Sequence, residues 1–88
     1  MRQINIANID LNLLRVFDAI FRERNLTRAG AALHLTQPSM SHALSRLRAA
    51  FDDELFTRTP HGLEPTPHAM QLAGPIADAV AAIQRALS

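Results

Sequence analysis

The 88-residue chain contains no cysteine, no lysine, no tryptophan and no tyrosine. Without cysteine, disulfides and thiolate metal sites are excluded, and nothing marks an oxidising compartment. Phenylalanine is the only aromatic type, with four copies. That leaves too few rings for the stacking platforms on which single-strand binders lay bases. No apolar run approaches the roughly 20 residues of a membrane-spanning helix. The start, Met1-Arg2-Gln3-Ile4-Asn5-Ile6, has neither the basic-then-apolar layout nor the small-residue cleavage site of a secretory leader. The expected location is the cytoplasm, with no membrane partner.

Catalytic patterns are missing as well. There is no glycine-rich phosphate loop, no nucleophile elbow and no isolated carboxylate pair, so an enzyme is not expected. The four histidines, His34, His42, His61 and His68, form no pair at i, i+3 or i+4 and have no cysteine beside them. No metal site is expected.

What is present is a composition of 48% hydrophobic and 19% charged residues, which suits one small globular domain. The net charge is only +1, but it is unevenly distributed. Arg22, Arg24, Arg28, Arg46 and Arg48 face a single acid, Glu23, before Asp52-Asp53-Glu54 follows as a block. The arginine-only usage has two readings: bidentate contacts to phosphate and guanine, or the base composition of the genome. Composition leaves both open.

Periodicity predicts mainly helix. Asp10 is a good N-cap, and Leu13, Val16, Phe17 and Ile20 follow at the spacing of one helical face. Leu14 and Phe21 widen that stripe, which predicts a well-buried first helix. Asn25 is suited to a left-handed stop and Thr27 to capping a short second helix. In that helix Ala29, Ala32 and Leu33 share a face, and Gly30 admits a close backbone. After a turn at His34-Leu35, Thr36 is the expected cap of a third helix over Thr36–Phe51, with Pro38 in its first turn. Met40, Leu44, Leu47 and Phe51 point at the core. The opposite face carries Pro38, Ser39, His42, Ser45 and Arg46, flanked by Ser41 and Arg48.

Two such helices joined by a short turn form a helix-turn-helix. The solvent face of the second offers hydrogen-bonding groups and cations. A helix meant for another protein would show aromatic or aliphatic anchors there. Double-stranded DNA is therefore the expected partner. The alternative is a helical interaction module that dimerises and docks a protein without reading DNA.

Leu55–Arg58 reads as a short strand, Thr59–Gly62 as its turn and Leu63–Pro65 as the return strand, together a two-stranded wing. Thr66-Pro67 begins a last helix. Along it Ala69, Ala73, Ile76, Val80, Ile83 and Leu87 repeat at 4, 3, 4, 3, 4 spacing, interrupted by Gly74-Pro75. Pro75 is expected to kink the helix or strain it locally. The seam either packs on the domain's own helices or self-associates. Its length favours self-association, with Ala73, Ile76, Ala77, Val80, Ile83 and Leu87 as the dimerisation residues.

The string Asn25-Leu26-Thr27-Arg28-Ala29-Gly30-Ala31-Ala32-Leu33-His34-Leu35-Thr36-Gln37-Pro38-Ser39-Met40-Ser41 resembles the N-terminal signature of LysR-type transcriptional regulators. The resemblance continues through Ser41–Arg48, Leu55–Arg58 and Leu63–Pro67. It implies a winged helix-turn-helix, three helices plus a two-stranded β wing, over 1–65, and a long linker and dimerisation helix over 66–88. It further implies a homodimer on an interrupted inverted repeat, with a tetramer and RNA polymerase as expected associations of the intact protein. Asp10–Leu14 and Gly62–Pro67 are most similar to the branches governing aromatic-compound breakdown and nodulation. Family members continue into an effector-binding domain, so the chain is expected to be a DNA-binding fragment. No cofactor is expected here, and a small-molecule inducer would bind the C-terminal domain. Gly30 stands where the family more often has alanine and is expected to loosen the second helix slightly.

On that frame, the expected base contacts are Gln37, Pro38, Ser39, His42 and Arg46, on the exposed early turns of the recognition helix. Arg46 is alternatively a phosphate clamp. Thr27, Arg28, Thr36, Ser41 and Ser45 suit phosphate contacts. Arg48 is phosphate-binding or merely solvated. Arg58 and His61 in the wing suit backbone or minor groove.

Overall fold

In the computed structural model, which describes residues 6–88, a short 3-10 turn at Ile6–Asn8 leads into helix α1, Asn12–Glu23. Asp10 serves the start of α1 from just outside it. Its Oδ1 accepts the Asn12 N–H at 2.9 Å and its carbonyl accepts the Leu13 N–H at 2.9 Å. The cap position itself falls to Leu11, which makes no side-chain cap bond. One face of α1 buries Leu13, Val16, Phe17, Ala19 and Ile20. Phe17 lies against Phe56 with ring centroids 5.3 Å apart.

The corner after α1 differs from expectation. Arg24, not Asn25, takes the left-handed position, with φ 57° and its N–H bonded to Ile20 O at 2.8 Å. An unbranched residue bears this conformation because its side chain is held locally. The guanidinium lies 4.6 Å from the Phe21 ring centroid, and Nε donates to Phe21 O at 2.6 Å. Asn25 is thereby freed to cap helix α2, Leu26–Leu33, through Oδ1, which accepts the Arg28 N–H at 2.9 Å. Thr27 is consequently inside the first turn of α2 and is not its cap.

Helix α3, Gln37–Phe51, follows the turn at His34-Leu35 and is capped as expected by Thr36, whose Oγ1 accepts the Ser39 N–H at 3.2 Å. Met40, Leu44 and Leu47 are its buried face. The turn between α2 and α3 depends on Gly30, whose carbonyl accepts the Leu35 N–H at 2.8 Å. A Cβ at position 30 would stand 2.6 Å from Leu35 O and 3.0 Å from Met40 Cγ. Gly30 thus meets the close approach of backbone that the small residues of α2 are expected to admit.

Strands β1, Phe56–Thr59, and β2, Gly62–Pro65, pair antiparallel with Phe56 opposite Pro65 and Thr59 opposite Gly62. The ribbon starts one residue later than predicted and closes on two residues, Pro60-His61. Leu55 is excluded from the strand because it is left-handed, with φ 63°, and its side chain is fully buried in the core. Gly62, at φ 116°, abuts the α1–α2 corner. Its added Cβ would lie 2.8 Å from Arg24 O, and the neighbouring Leu63 N–H donates to that same oxygen at 3.0 Å.

Helix α4, Pro67–Leu87, is capped by Thr66, whose Oγ1 accepts the Ala69 N–H at 3.2 Å. It is continuous through Gly74-Pro75, so Pro75 does not end it. The first half of α4 belongs to the same core as the other helices, through Ala69 and Ile76, with Ala73 and Val80 half-buried against it. At the α3–α4 junction the Asp53 carboxylate accepts the Thr66 hydroxyl at 2.7 Å and the Leu55 N–H at 2.9 Å. The Thr66 hydroxyl, then the Leu55 amide, hold its pKa below the ordinary 3.8. Partial burial opposes them, and His68 adds a smaller lowering.

Gly30→Ala is expected to destabilise the fold by about 1–3 kcal/mol through this clash, although alanine gains roughly 0.5–1 kcal/mol over glycine in an open helix. Urea denaturation decides the sign, and a rise in stability would remove the close approach from the account. Because the Asp53 pKa is lowered in the folded chain, its contribution is present above the unfolded value near 3.8 and lost as pH falls through the folded one. Urea midpoints measured from pH 5 downward should fall less steeply for Asp53→Asn than for the wild type. Parallel curves would contradict the assignment.

Candidate nucleic-acid interface

Because Met40, Leu44 and Leu47 commit one side of α3 to the core, the residues between them are forced outward. Gln37, Pro38, Ser39, Ser41, His42, Ser45 and Arg46 are all exposed on that outer side. They present an amide, three hydroxyls, an imidazole and a guanidinium, with no large apolar side chain among them. The N-terminal end of α3 also carries the positive end of the helix dipole.

Three elements converge beside that end. A cleft of about 140 Å³ is lined by Asn25 and Thr27 at the start of α2, Gln37 at the start of α3, and Arg58 and Gly62 of the ribbon. The ribbon reaches this position because Leu63 and Gly62 seat on Arg24 O. Thr27, Gln37 and Arg58, singled out from separate stretches of sequence, thus line one concave surface. An amide, a hydroxyl and a guanidinium there can donate to the oxygens of a nucleic-acid backbone.

The remaining predicted residues fall into different situations. Arg28 is exposed at the edge of α2, and His61 is exposed at the ribbon tip, its N–H donating to Thr59 Oγ1 at 3.2 Å. Arg46 Nη1 lies 3.6 Å from Asp10 Oδ2, with both side chains about half exposed. A pair so exposed is weak, and the guanidinium can exchange this partner for another.

Thr36 and Arg48 are more committed than expected. The Thr36 hydroxyl donates to Ser39 Oγ at 3.0 Å while accepting the Ser39 N–H, so its proton is used within the cap. Arg48 is half-buried, with Nε donating to Glu54 O at 2.8 Å and Nη2 to Phe56 O at 2.7 Å. Its guanidinium ties α3 to the start of the ribbon, which corrects the reading of it as merely solvated and gives it a structural partner in place of a free phosphate-facing one.

The seam on α4 divides in two. Ile76 is buried in the chain's own core and Ala73 and Val80 lean on it, whereas Ala77 is exposed, Ile83 is 48% exposed and Leu87 is 82% exposed. The periodic stripe is thus split between residues packed on the chain's own core and residues left exposed over the later turns of the helix. Sequence reasoning missed the contributions of Arg24 and Asp53. Neither carries a pattern signal, because each acts through a backbone conformation or a single oxygen. Among the described residues no helix is long and apolar enough to cross a membrane.

A family model described as "Bacterial regulatory helix-turn-helix protein, lysR family" matches residues 11–70. The chain is similar to the HTH-type transcriptional activator NagR of Ralstonia sp, with 48% identity over 85 residues, covering 97% of this chain and 28% of that protein. It is similar to Nodulation protein D 1 of Bradyrhizobium sp. (strain NC92), with 52% identity over 81 residues, covering 92% of this chain and 26% of the relative. Among solved structures it resembles the probable transcriptional regulator PA0477 from Pseudomonas aeruginosa. There the TM-score is 0.91 at 44% identity, over 93% of this chain and 28% of that one. The fold is also that of the protein in the BenM_DBD/catB site 1 DNA complex, at TM-score 0.82 and 22% identity, over 90% and 89% of the two chains. The chain spans about a quarter of the length of the curated relatives it matches.

Proposed function

Because the chain belongs to the LysR family of bacterial helix-turn-helix regulators and is a DNA-binding domain of that type, we propose that it reads an interrupted inverted repeat in duplex DNA as a homodimer. In this reading α3 lies in the major groove. Gln37, Pro38, Ser39 and His42 reach base edges from its first two turns, and Gln37 supplies the amide that matches adenine bidentately. Arg46, released from Asp10, reaches a base or phosphate one turn further on. Thr27, Arg28, Ser41 and Ser45 hold phosphates on either side, and Arg58 and His61 extend the contact from the ribbon.

The observation that carries this reading is the cleft that gathers Thr27, Gln37 and Arg58 at the start of α3. A phosphate seated there would fix the register of the recognition helix while its outward face meets the bases. The dimer contact would use Ala77, Ile83 and Leu87 with the outer edge of Val80, the part of the seam that the chain's own core leaves uncovered. A module that docks another protein would not need polar groups of these kinds facing outward from α3.

Selection of bound duplexes from a random pool should return an inverted repeat; failure to enrich any consensus would favour the interaction-module reading. On the selected site Gln37→Ala is expected to cost about 1–3 kcal/mol and to relax preference at one base pair in each half. Arg58→Ala is expected to weaken all sequences alike and to lower the salt slope by about one unit. A uniform loss in the first variant, or a base-selective loss in the second, would reverse the two assignments. Ile83→Asp should leave the monomer folded but shift sedimentation toward monomer, and an unchanged dimer would place the contact elsewhere.

A further inference from the structure

The end of α3 and the beginning of α4 meet through two matched pairs that the DNA-facing residues leave unused. The Phe51 and His68 rings stand edge to face, with centroids 6.1 Å apart and an interplanar angle of 86°. Two positions inward from each, Asp53 accepts the Thr66 hydroxyl at 2.7 Å. Leu55 is gripped between these partners. Its N–H donates to Asp53 Oδ2 at 2.9 Å and its carbonyl accepts the Thr66 N–H at 2.9 Å. It sits in the left-handed region at φ 63° with no exposed side-chain surface. Arg48 holds the carbonyls on either side of Leu55, those of Glu54 and Phe56.

Packing of Ala69 and Ile76 on the core attaches α4 from the α1 side. Attachment to α1 and β2 leaves the angle of the helix relative to α3 unset. The pairs Phe51–His68 and Asp53–Thr66 supply a further attachment, from α3. The lever is long: 21 residues of helix span roughly 31 Å, so a swing of about 10° carries the far end about 5 Å. One base-pair step is about 3.4 Å.

We propose that Asp53 and Thr66, backed by Phe51 and His68, form a joint that sets the angle between the recognition helix and α4, making Asp53 and Thr66 positioning residues for the spacing between operator half-sites. The proposal rests on the homodimeric reading above, in which α3 carries the base contacts and the far half of α4 carries the partner contact. The Asp53 carboxylate suits the task because one oxygen takes both a side-chain and a backbone donor, fixing the loop and the helix start together.

The absence of native cysteine allows a direct measurement. Cysteines introduced at Ala49 on α3 and Ala82 on α4, both exposed positions and Ala82 facing away from the seam, carry spin labels whose separation is read by pulsed electron resonance. The labelled chain is diluted in an excess of unlabelled chain, so that only the two spins within one protomer are measured. The native joint and Thr66→Ser, which keeps the hydroxyl, should each give one narrow distance distribution. Asp53→Ala, shown by circular dichroism to be folded, should give a distribution at least twice as wide or displaced by several ångström. Should Asp53→Ala fail to fold, Asp53→Asn takes its place and is expected to broaden less. A folded variant with the native distribution overturns the joint.

The second arm uses the unlabelled chain on selected half-sites separated by a series of spacers. The wild type and Gln37→Ala should share one optimum at different affinities, while Asp53→Ala should flatten the optimum or move it by at least one base pair. An equal loss of affinity at every spacer overturns the positioning role and leaves the dimeric reading intact. A wild-type chain indifferent to spacing overturns the dimeric reading itself, and the spacing role with it.

Discussion

The carbonyl of Arg24 sits where α1 stops, α2 starts and the ribbon lands. The left-handed turn at Arg24 ends α1 and hands the cap of α2 to Asn25, and the same peptide oxygen receives the Leu63 N–H while Gly62 packs against it. Those three events set the walls of the cleft beside Gln37. Shift that one peptide and Thr27, Gln37 and Arg58 no longer share a surface, even if every helix survives. The Arg24 side chain, stacked on Phe21 and bonded to its carbonyl, offsets part of the cost that a non-glycine residue bears in this conformation.

A second constraint is the approach of Leu35 to Gly30. Helix-turn-helix geometry requires the second helix to leave the first within a few residues, and here the turn folds back until the Leu35 carbonyl occupies the space of a missing Cβ. The orientation of α3, and so of its outward polar face, follows from that contact together with the burial of Met40, Leu44 and Leu47. Arg48 then ties the far end of α3 to the ribbon, so both ends of the helix are joined to other elements by groups away from its exposed face.

Much of this was legible in advance because it rests on periodicity and caps. The 4, 3, 4 spacing of Met40, Leu44, Leu47 and Phe51 located α3, and Thr36 and Thr66 cap helices as their position before proline-containing first turns suggests. The LysR family relationship follows from ordered segments along most of the chain. What escaped prediction was decided by single atoms. Asn25 suits a left-handed stop and an N-cap about equally, and the stacking of Arg24 on Phe21 selects the second. Leu55 opens the run Leu55-Phe56-Thr57-Arg58 that reads as a strand, yet burial and two hydrogen bonds hold it in a turn-like conformation. Arg48 on a helix flank has the same appearance whether it meets phosphate or carbonyls, and only the path of the chain beyond Phe51 distinguishes the two.

The bond between Leu63 and Arg24 also bears on the order of events in time. Helices α1 to α3 close mostly through near neighbours in sequence, whereas the ribbon is a two-stranded piece with little core of its own that must return across all of α2 and α3 to reach its seat. Loop closure of that span is entropically disfavoured until the helices provide the landing site. The cleft therefore depends on helices that must already be in place when the ribbon lands. Arg58 stands at the cleft only while Phe56 is packed on Phe17, Arg48 holds the Phe56 carbonyl and Leu63 is bonded to Arg24 O, so a surface feature is answerable to the interior of the chain.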